Sequence, residues 1–182
     1  MHYTTHIRDQ GCSGNADGPR RRGRMGHEIT ILIGTMTGTA ELVSDELRGV
    51  LEAAGYHVVI EPMDDLTERV FSRDSTFLIC TSTYGQGDVP DNAQAFFSCL
   101  EDTRPDLSHV QYGMIALGDR TYKTTYCGGG RRFDALLGEL GATRLGDPLM
   151  HDASSGTLPE DVAAEWVKLW AGTWLAREAE VA

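Results

Sequence analysis

The stretch ITILIGTMTGTAELV, residues 29–43, decides how the rest of the chain is read. A run with strand character, Ile29 to Ile33, meets a loop of glycine and threonine and then the opening turn of an amphipathic segment. At a strand-to-helix junction the backbone amides converge and the helix dipole adds partial positive charge, so a phosphate is the natural guest. Thr35, Thr37 and Thr39 add hydroxyl donors, with Met36 and Gly38 completing the loop. A P-loop would need G-x-x-x-x-G-K-[ST], yet the first lysine in the chain is Lys123, so a triphosphate is not the guest. The dinucleotide fingerprint G-x-G-x-x-G is missing too, which leaves a single phosphate monoester as the expectation. Capping threonines would by themselves also account for such a loop.

Working outward, the same alternation repeats. A helix is expected from about Thr39 to Ala54, with Leu42, Val43, Leu47, Val50 and Leu51 on one face and Gly55 as its stop. HVVIEP (57–62) reads as a strand, and STFLICT (75–81) as a strand apolar on both faces, the mark of a buried parallel sheet. A helix then begins near Asp91, a strand spans VQYGMIAL (110–117), and a helix spans RRFDALLGEL (131–140). ATRLGDPLM (142–150) is expected as a broken last strand. Pro159 opens a final helix, and Val162, Trp166, Trp170 and Trp174 recur every fourth residue as a core-packing stripe. Such alternation predicts an α/β, doubly wound three-layer sandwich whose ligands bind beyond the carboxyl ends of the strands.

At 182 residues and 41% hydrophobic, the chain has material for one core. No apolar run reaches the roughly 18 residues of a spanning helix and the start lacks a secretory core, so no membrane partner and a cytoplasmic location are expected. The four cysteines show neither a C-x-x-C pair nor metal-ligand spacing, so no metal and no disulfide are expected. A formal charge of −11 argues against nucleic acid and favours partners with basic patches, or acts simply as a solubility device. Residues 1–24 carry five arginines and two acids, so removing them leaves the remainder at −14. This Gly-, Asn- and Arg-rich segment lacks apolar periodicity. A disordered basic extension is therefore expected over residues 1–26, followed by one domain over 27–176 and a tail at 177–182, with Met25 reading as an alternative start.

Two further loops follow strands. TSTYGQGDVPDNAQ (81–94) presents Tyr84 among small residues, with Gly85 and Gly87 allowing a peptide to flip. GDRTYKTTYCGGG (118–130) presents Tyr122 similarly. Two aromatics beside a phosphate cradle suit a flat heteroaromatic ring, although either tyrosine alone also reads as an ordinary loop anchor.

GTMTGTAE, STYGQGDVPDNAQAFF and ALGDRTYKTTYCGGGRRFDALLGELGA together closely resemble the three FMN-binding loops of the flavodoxin family. The likeness is greatest to the FMN domains of sulfite-reductase flavoproteins and NADPH–cytochrome reductases, and it runs from about Ile29 to Trp170. It implies a five-stranded parallel sheet of order 2-1-3-4-5 and FMN as cofactor. It also implies that Thr35, Met36, Thr37, Gly38 and Thr39 hold the phosphate, and that Ser82, Thr83 and Tyr84 line the flavin. Tyr84 and Tyr122 would flank the ring, Gly85 would offer its carbonyl to the reduced flavin N5, and Gly87 belongs to the same loop. Leu117, Gly118, Asp119 and Cys127 match the ring-binding wall, and Asp152 falls near an acidic position of the diflavin relatives. YKTTYC departs from the family's usual Y-x-x-F-C, leaving Tyr126 as a second aromatic candidate beside Tyr122. The short interval from Gly141 to Pro159 implies a short-chain form.

The implied function is one-electron transfer by FMN, from a separate NAD(P)H-dependent flavodoxin or ferredoxin reductase to an acceptor protein with a basic docking surface. No combination of residues suggests a nucleophile or substrate pocket, and Asp119 and Asp152 read as wall and loop residues. Two rivals remain. A stand-alone NAD(P)H-dependent flavin or quinone reductase would oxidise NAD(P)H by itself, and a phospho-acceptor receiver would need clustered acids at the end of the first expected strand, where this chain has Gly34 and Thr35.

Overall fold

A computed structural model describes residues 27–181, with side chains described from residue 27 to residue 175. The extension expected over residues 1–26 lies outside the described residues, as do the side chains of the expected tail at 177–182. Six strands and four helices follow one another as β1 (Glu28–Gly34), α1 (Thr39–Ala53), β2 (His57–Pro62), β3 (Thr76–Thr81), α2 (Asp91–Thr103), β4 (Gln111–Gly118), α3 (Gly128–Glu139), β5 (Thr143–Arg144), β6 (Leu149–Asp152) and α4 (Pro159–Val181). All pairings between the strands are parallel, in the order β2-β1-β3-β4-β5, with β6 also on β4.

The period-two alternation of the buried strands divides the core. Ile29, Ile31 and Ile33 of β1, Leu78 and Cys80 of β3, and Ile115 and Leu117 of β4 face α1 and α4. Leu32, Phe77, Ile79, Tyr112 and Met114 face α2 and α3, where Phe71, Phe96, Phe97 and Phe133 interlock. Burying a large apolar side chain is worth about 1.5–3 kcal/mol, so both layers contribute substantially to stability. Gly55, at φ 94°, ends α1 as expected: Tyr56 N donates to Leu51 O at 3.1 Å and Gly55 N to Glu52 O at 3.0 Å, a Schellman motif.

Two expectations are refined. α3 starts at Gly128 rather than Arg131, because three consecutive glycines let its first turn lie flat on the loop and strand beneath. A Cβ on Gly129 would stand 2.5 Å from Ser82 O, and one on Gly130 would overlap Ala116, so close packing overrides the poor helix propensity of glycine. The broken last strand is two separate pieces, the second reaching Asp152. In the gap, Gly146 turns at φ 76° and α4 supplies Trp170, whose Nε1 donates to Leu145 O at 2.7 Å. The tryptophan stripe is core-facing: Trp170 is buried, and Trp166 and Trp174 pack partly buried against the same cluster.

Candidate functional site

The carboxyl ends of β1, β3, β4 and β6 border a cleft of about 580 Å³, within the range of small-molecule and cofactor sites. The first loop contributes Thr37 and Thr39 to its lining, and the second contributes Ser82, Thr83 and Gly85. Leu117, Gly118, Asp119 and Tyr122 come from the third. Three segments far apart in sequence therefore meet at one place.

The first loop is built around Thr35. Its side chain is buried, and Oγ1 accepts from Gly38 N at 3.1 Å, which holds Gly38 at φ 83° as the N-cap of α1. No side chain caps that helix, and the Thr37 and Thr39 hydroxyls lie 3.4 Å apart at its mouth. Met36 is exposed beside them. Neutral hydroxyls at an open helix N-terminus suit one phosphate group.

The second and third loops are tied to each other. Thr83 Oγ1 donates to Leu117 O at 3.0 Å and accepts from Gly129 N at 3.3 Å. The turn from Tyr84 to Asp88 is closed by Tyr84 N to Asp88 O (3.0 Å) and Asp88 N to Tyr84 O (2.8 Å), with Gly85 at φ 51° and Gly87 at φ 94°. Asp119 Oδ1 accepts from Thr121 N at 2.7 Å, which folds the third loop so that Tyr122 reaches the cleft. Tyr84 and Tyr122 are 50% and 66% exposed, large values for aromatic rings at the edge of a cleft. Gly87 is buried against Thr125.

Tyr126, Cys127 and Asp152 lie behind this lining. Tyr126 is buried, its hydroxyl donating to Met150 O at 2.8 Å, while Arg120 and Arg131 stand 5.1 and 5.9 Å from its ring centre. Burial raises its phenol above the usual value. The ring thus supports the third loop from below. Cys127 sits at φ 53°, a left-handed conformation unusual for a residue with a side chain, and its Sγ donates to Ala116 O at 3.3 Å. Burial pushes its thiol up to about 11. Asp152 Oδ1 accepts from Arg120 N (2.9 Å), Ser154 N (3.0 Å) and Ser154 Oγ (2.7 Å). The Arg120 amide first, then the Ser154 hydroxyl, holds its carboxyl below the usual range.

Five residues of the wall were not expected there from the sequence: Thr125, His151, Ala153, Thr157 and Pro159. His151 is buried opposite Leu117 in the β4–β6 register, and its Nε2 lies 3.1 Å from Thr157 Oγ1, tying β6 to the start of α4. The available signal was the length of the last strand, since two more residues of strand bring His151 level with Leu117. Asn92 was missed as well: its side chain bonds the backbone of Ile33 and Thr35.

The threonine and serine hydroxyls, the open N-terminus of α1 and the Tyr122 ring in one lining, with Tyr84 next to its Thr83 and Gly85, fit a phosphorylated flat ring. A family model for flavodoxin matches residues 31–166. The chain belongs to the flavodoxin family. Flavodoxin YqcA of Escherichia coli is 40% identical over 149 residues, which cover 82% of this chain and 99% of that protein. The sulfite reductase (NADPH) flavoprotein alpha-component of Bacillus subtilis is 33% identical over 142 residues, covering 78% of this chain and 23% of that much longer protein. Among solved structures, a cysteine-to-alanine mutant of flavodoxin from Pseudomonas aeruginosa superposes with a TM-score of 0.72 at 36% identity, covering 80% of this chain and 97% of the other.

The cofactor of this flavodoxin is FMN, and its role is that of an FMN electron carrier. Among the described residues no group of three or more His, Cys, Asp or Glu could hold a metal ion, and no helix is long and apolar enough to cross a membrane. Cys80, Cys99 and Cys127 are free thiols.

Proposed function

We propose that this flavodoxin takes single electrons from a separate NAD(P)H-dependent reductase and delivers them to an acceptor protein with a basic docking surface. FMN supplies the one-electron chemistry when bound. Residues 35–39 grip its phosphate through the α1 N-terminus and the threonine hydroxyls. Ser82, Thr83, Leu117, Gly118 and Asp119 form the ring-binding wall, and Tyr84 and Tyr122 flank the ring. Gly85 and Gly87 give their turn the backbone freedom to present a carbonyl to the ring edge. Tyr126, Cys127 and Asp152 hold the third loop and β6 in place behind that wall.

The observation that carries this reading is that exposed Tyr122 and the Thr37 and Thr39 hydroxyls at the uncapped N-terminus of α1 line one cleft, with exposed Tyr84 between its lining residues Thr83 and Gly85.

The formal charge of −11 supports electrostatic steering toward a basic partner. Near the cleft, Asp88 is paired with Arg132 at 2.5 Å and Asp152 is turned into its own loop, whereas Asp91 is exposed. The attraction therefore arises from the summed field of the acidic domain more than from Asp88 or Asp152. The test is reconstitution. The FMN-loaded protein is expected to leave NADPH and NADH unoxidised on its own, to be reduced when a flavodoxin reductase is added, and to exchange electrons more slowly as salt rises. NAD(P)H oxidation by the purified protein alone would identify it as a reductase instead, and a salt-independent exchange rate would remove the steering.

A further inference from the structure

The pairing of β1 with β3 ends at Gly34, where Ser82 N donates to Gly34 O at 2.8 Å. The next amide along the chain, Thr35 N, donates to a side chain: it meets Asn92 Oδ1 at 2.8 Å, while Asn92 Nδ2 donates to Ile33 O at 3.3 Å. The Asn92 carboxamide thus acts like one more peptide unit alongside β1, accepting from one residue and donating to another two positions back. Both partners are backbone groups of known polarity, so the placement of oxygen and nitrogen on Asn92 follows from them. Asn92 Nδ2 also lies 3.4 Å from Asp64 Oδ2, and Met63 N donates to the same Ile33 carbonyl at 3.0 Å. The first turn of α2 and the segment after β2 are thereby joined at the root of the first loop.

From Thr35 the connection continues into the loop, because Thr35 Oγ1 accepts from Gly38 N at 3.1 Å. Hydrogen bonds therefore run from Asn92 through Thr35 to the N-cap of α1. The Thr35 amide is spent in this connection, which leaves phosphate binding to the loop beyond it. Asn92 itself is not part of the cleft lining.

We propose that Asn92 is a positioning residue for residues 35–39: it holds the backbone of Thr35 so that the loop is preset for the phosphate of FMN, without touching the cofactor. The inference rests on the reading of that loop as the phosphate cradle. It is specific to one end of the ligand, because nothing in this connection reaches the tyrosines or the third loop.

The test compares FMN with riboflavin, which has the same ring and no phosphate, by quenching of flavin fluorescence on titration with apoprotein. Wild type is expected to bind FMN more tightly than riboflavin. Asn92→Ala removes the bonds to Thr35, Ile33 and Asp64; Ile33 O keeps Met63 N, but the Thr35 amide loses its partner, so FMN binding is expected to weaken about tenfold or more while riboflavin changes less than about twofold. Equal losses for both ligands, or no loss for FMN, would overturn the positioning role. A wild type that binds both ligands equally would instead overturn the phosphate-cradle reading, and with it this inference. Should the alanine variant not fold, hydrogen exchange in wild-type apoprotein decides the matter. The Thr35 amide is expected to exchange at least about tenfold more slowly than that of Thr37, and equal rates would overturn the proposal.

Discussion

The backbone of Gly87 lies directly against Gly128: a Cβ added to Gly128 would stand 2.5 Å from Gly87 O and 2.7 Å from its Cα. The second loop and the first turn of α3 therefore touch with no room for a methyl group. Gly128→Ala is expected to push them apart and cost about 1–3 kcal/mol in urea unfolding of the apoprotein, with weaker FMN binding. Gly138, in the same helix, has nothing within 4 Å of an added Cβ. Gly138→Ala should stabilise by up to about 1 kcal/mol through helix propensity, and a loss there as large as that of Gly128→Ala would show that the contact with Gly87 is not what makes the substitution costly.

Cys127 and Cys80 are buried, with thiols pushed up to about 11 and about 12, whereas Cys99 is only partly buried, its Sγ donating to Glu68 Oε2 at 3.2 Å. Since the thiolate is the reactive form, alkylation of the folded protein near pH 8 should label Cys99 well ahead of the other two. Peptide mass spectrometry reads the order directly. Labelling of Cys127 at the rate of Cys99 would show that the wall behind the cleft opens readily.

Asp152 has its carboxyl held below the ordinary range by the Arg120 amide and by Ser154. A folded value below the unfolded one stabilises the fold fully above about pH 4 and loses that effect as the pH falls through the folded value. Asp152→Asn should therefore melt below wild type at pH 7, and the gap should be narrower at about pH 3. Calorimetry of the two apoproteins at both pH values checks this, and a gap independent of pH would mean that the charge contributes nothing.

Tyr122 lines the cleft while two thirds of its surface is exposed, at 66%. Removing a stacking ring costs about 0.5–1.5 kcal/mol beyond lost area, so Tyr122→Ala should weaken FMN and riboflavin alike, by roughly three- to tenfold or more. Its effect on the two ligands is thus the opposite pattern to that of Asn92→Ala. If Tyr126→Ala produced the larger loss while Tyr126→Phe, which keeps the ring and removes only the bond to Met150 O, did not, the aromatic role would belong to the buried ring instead.

The alternation of strands and helices was legible in the sequence because buried parallel strands are apolar on both faces and the helices between them carry clear caps, as at Gly55 and Gly141, whereas the strand order came from the resemblance of the three loops to the flavodoxin family. The three loops were legible because each follows a strand, where this architecture collects its ligands. What escaped was whatever depends on distant packing. Gly128 to Gly130 read locally as a loop, and only their contact with Ser82, Gly87 and Ala116 explains a helix there. Asn92 follows a proline and an aspartate at a helix start and reads as a local turn residue, yet its partners lie 57 and 59 positions away. His151 faces the cleft only because β6 runs to Asp152, past the expected end of the strand. Tyr126 stood as a second aromatic candidate beside Tyr122, and its burial, against the exposure of Tyr122, depends on packing that the local sequence does not show.

The gap between β5 and β6 also matters for how copies of the chain meet. A long straight outer strand offers a row of unpaired peptide groups on which a second molecule can add its own strand, the first step toward sheet aggregation. Here that side of the sheet is two residues, a turn at Gly146 and Pro148, and then four residues, with the Leu145 carbonyl already taken by the Trp170 indole. No register longer than four residues is open along it, so edge-to-edge polymerisation has little to grow from on this flank of the molecule.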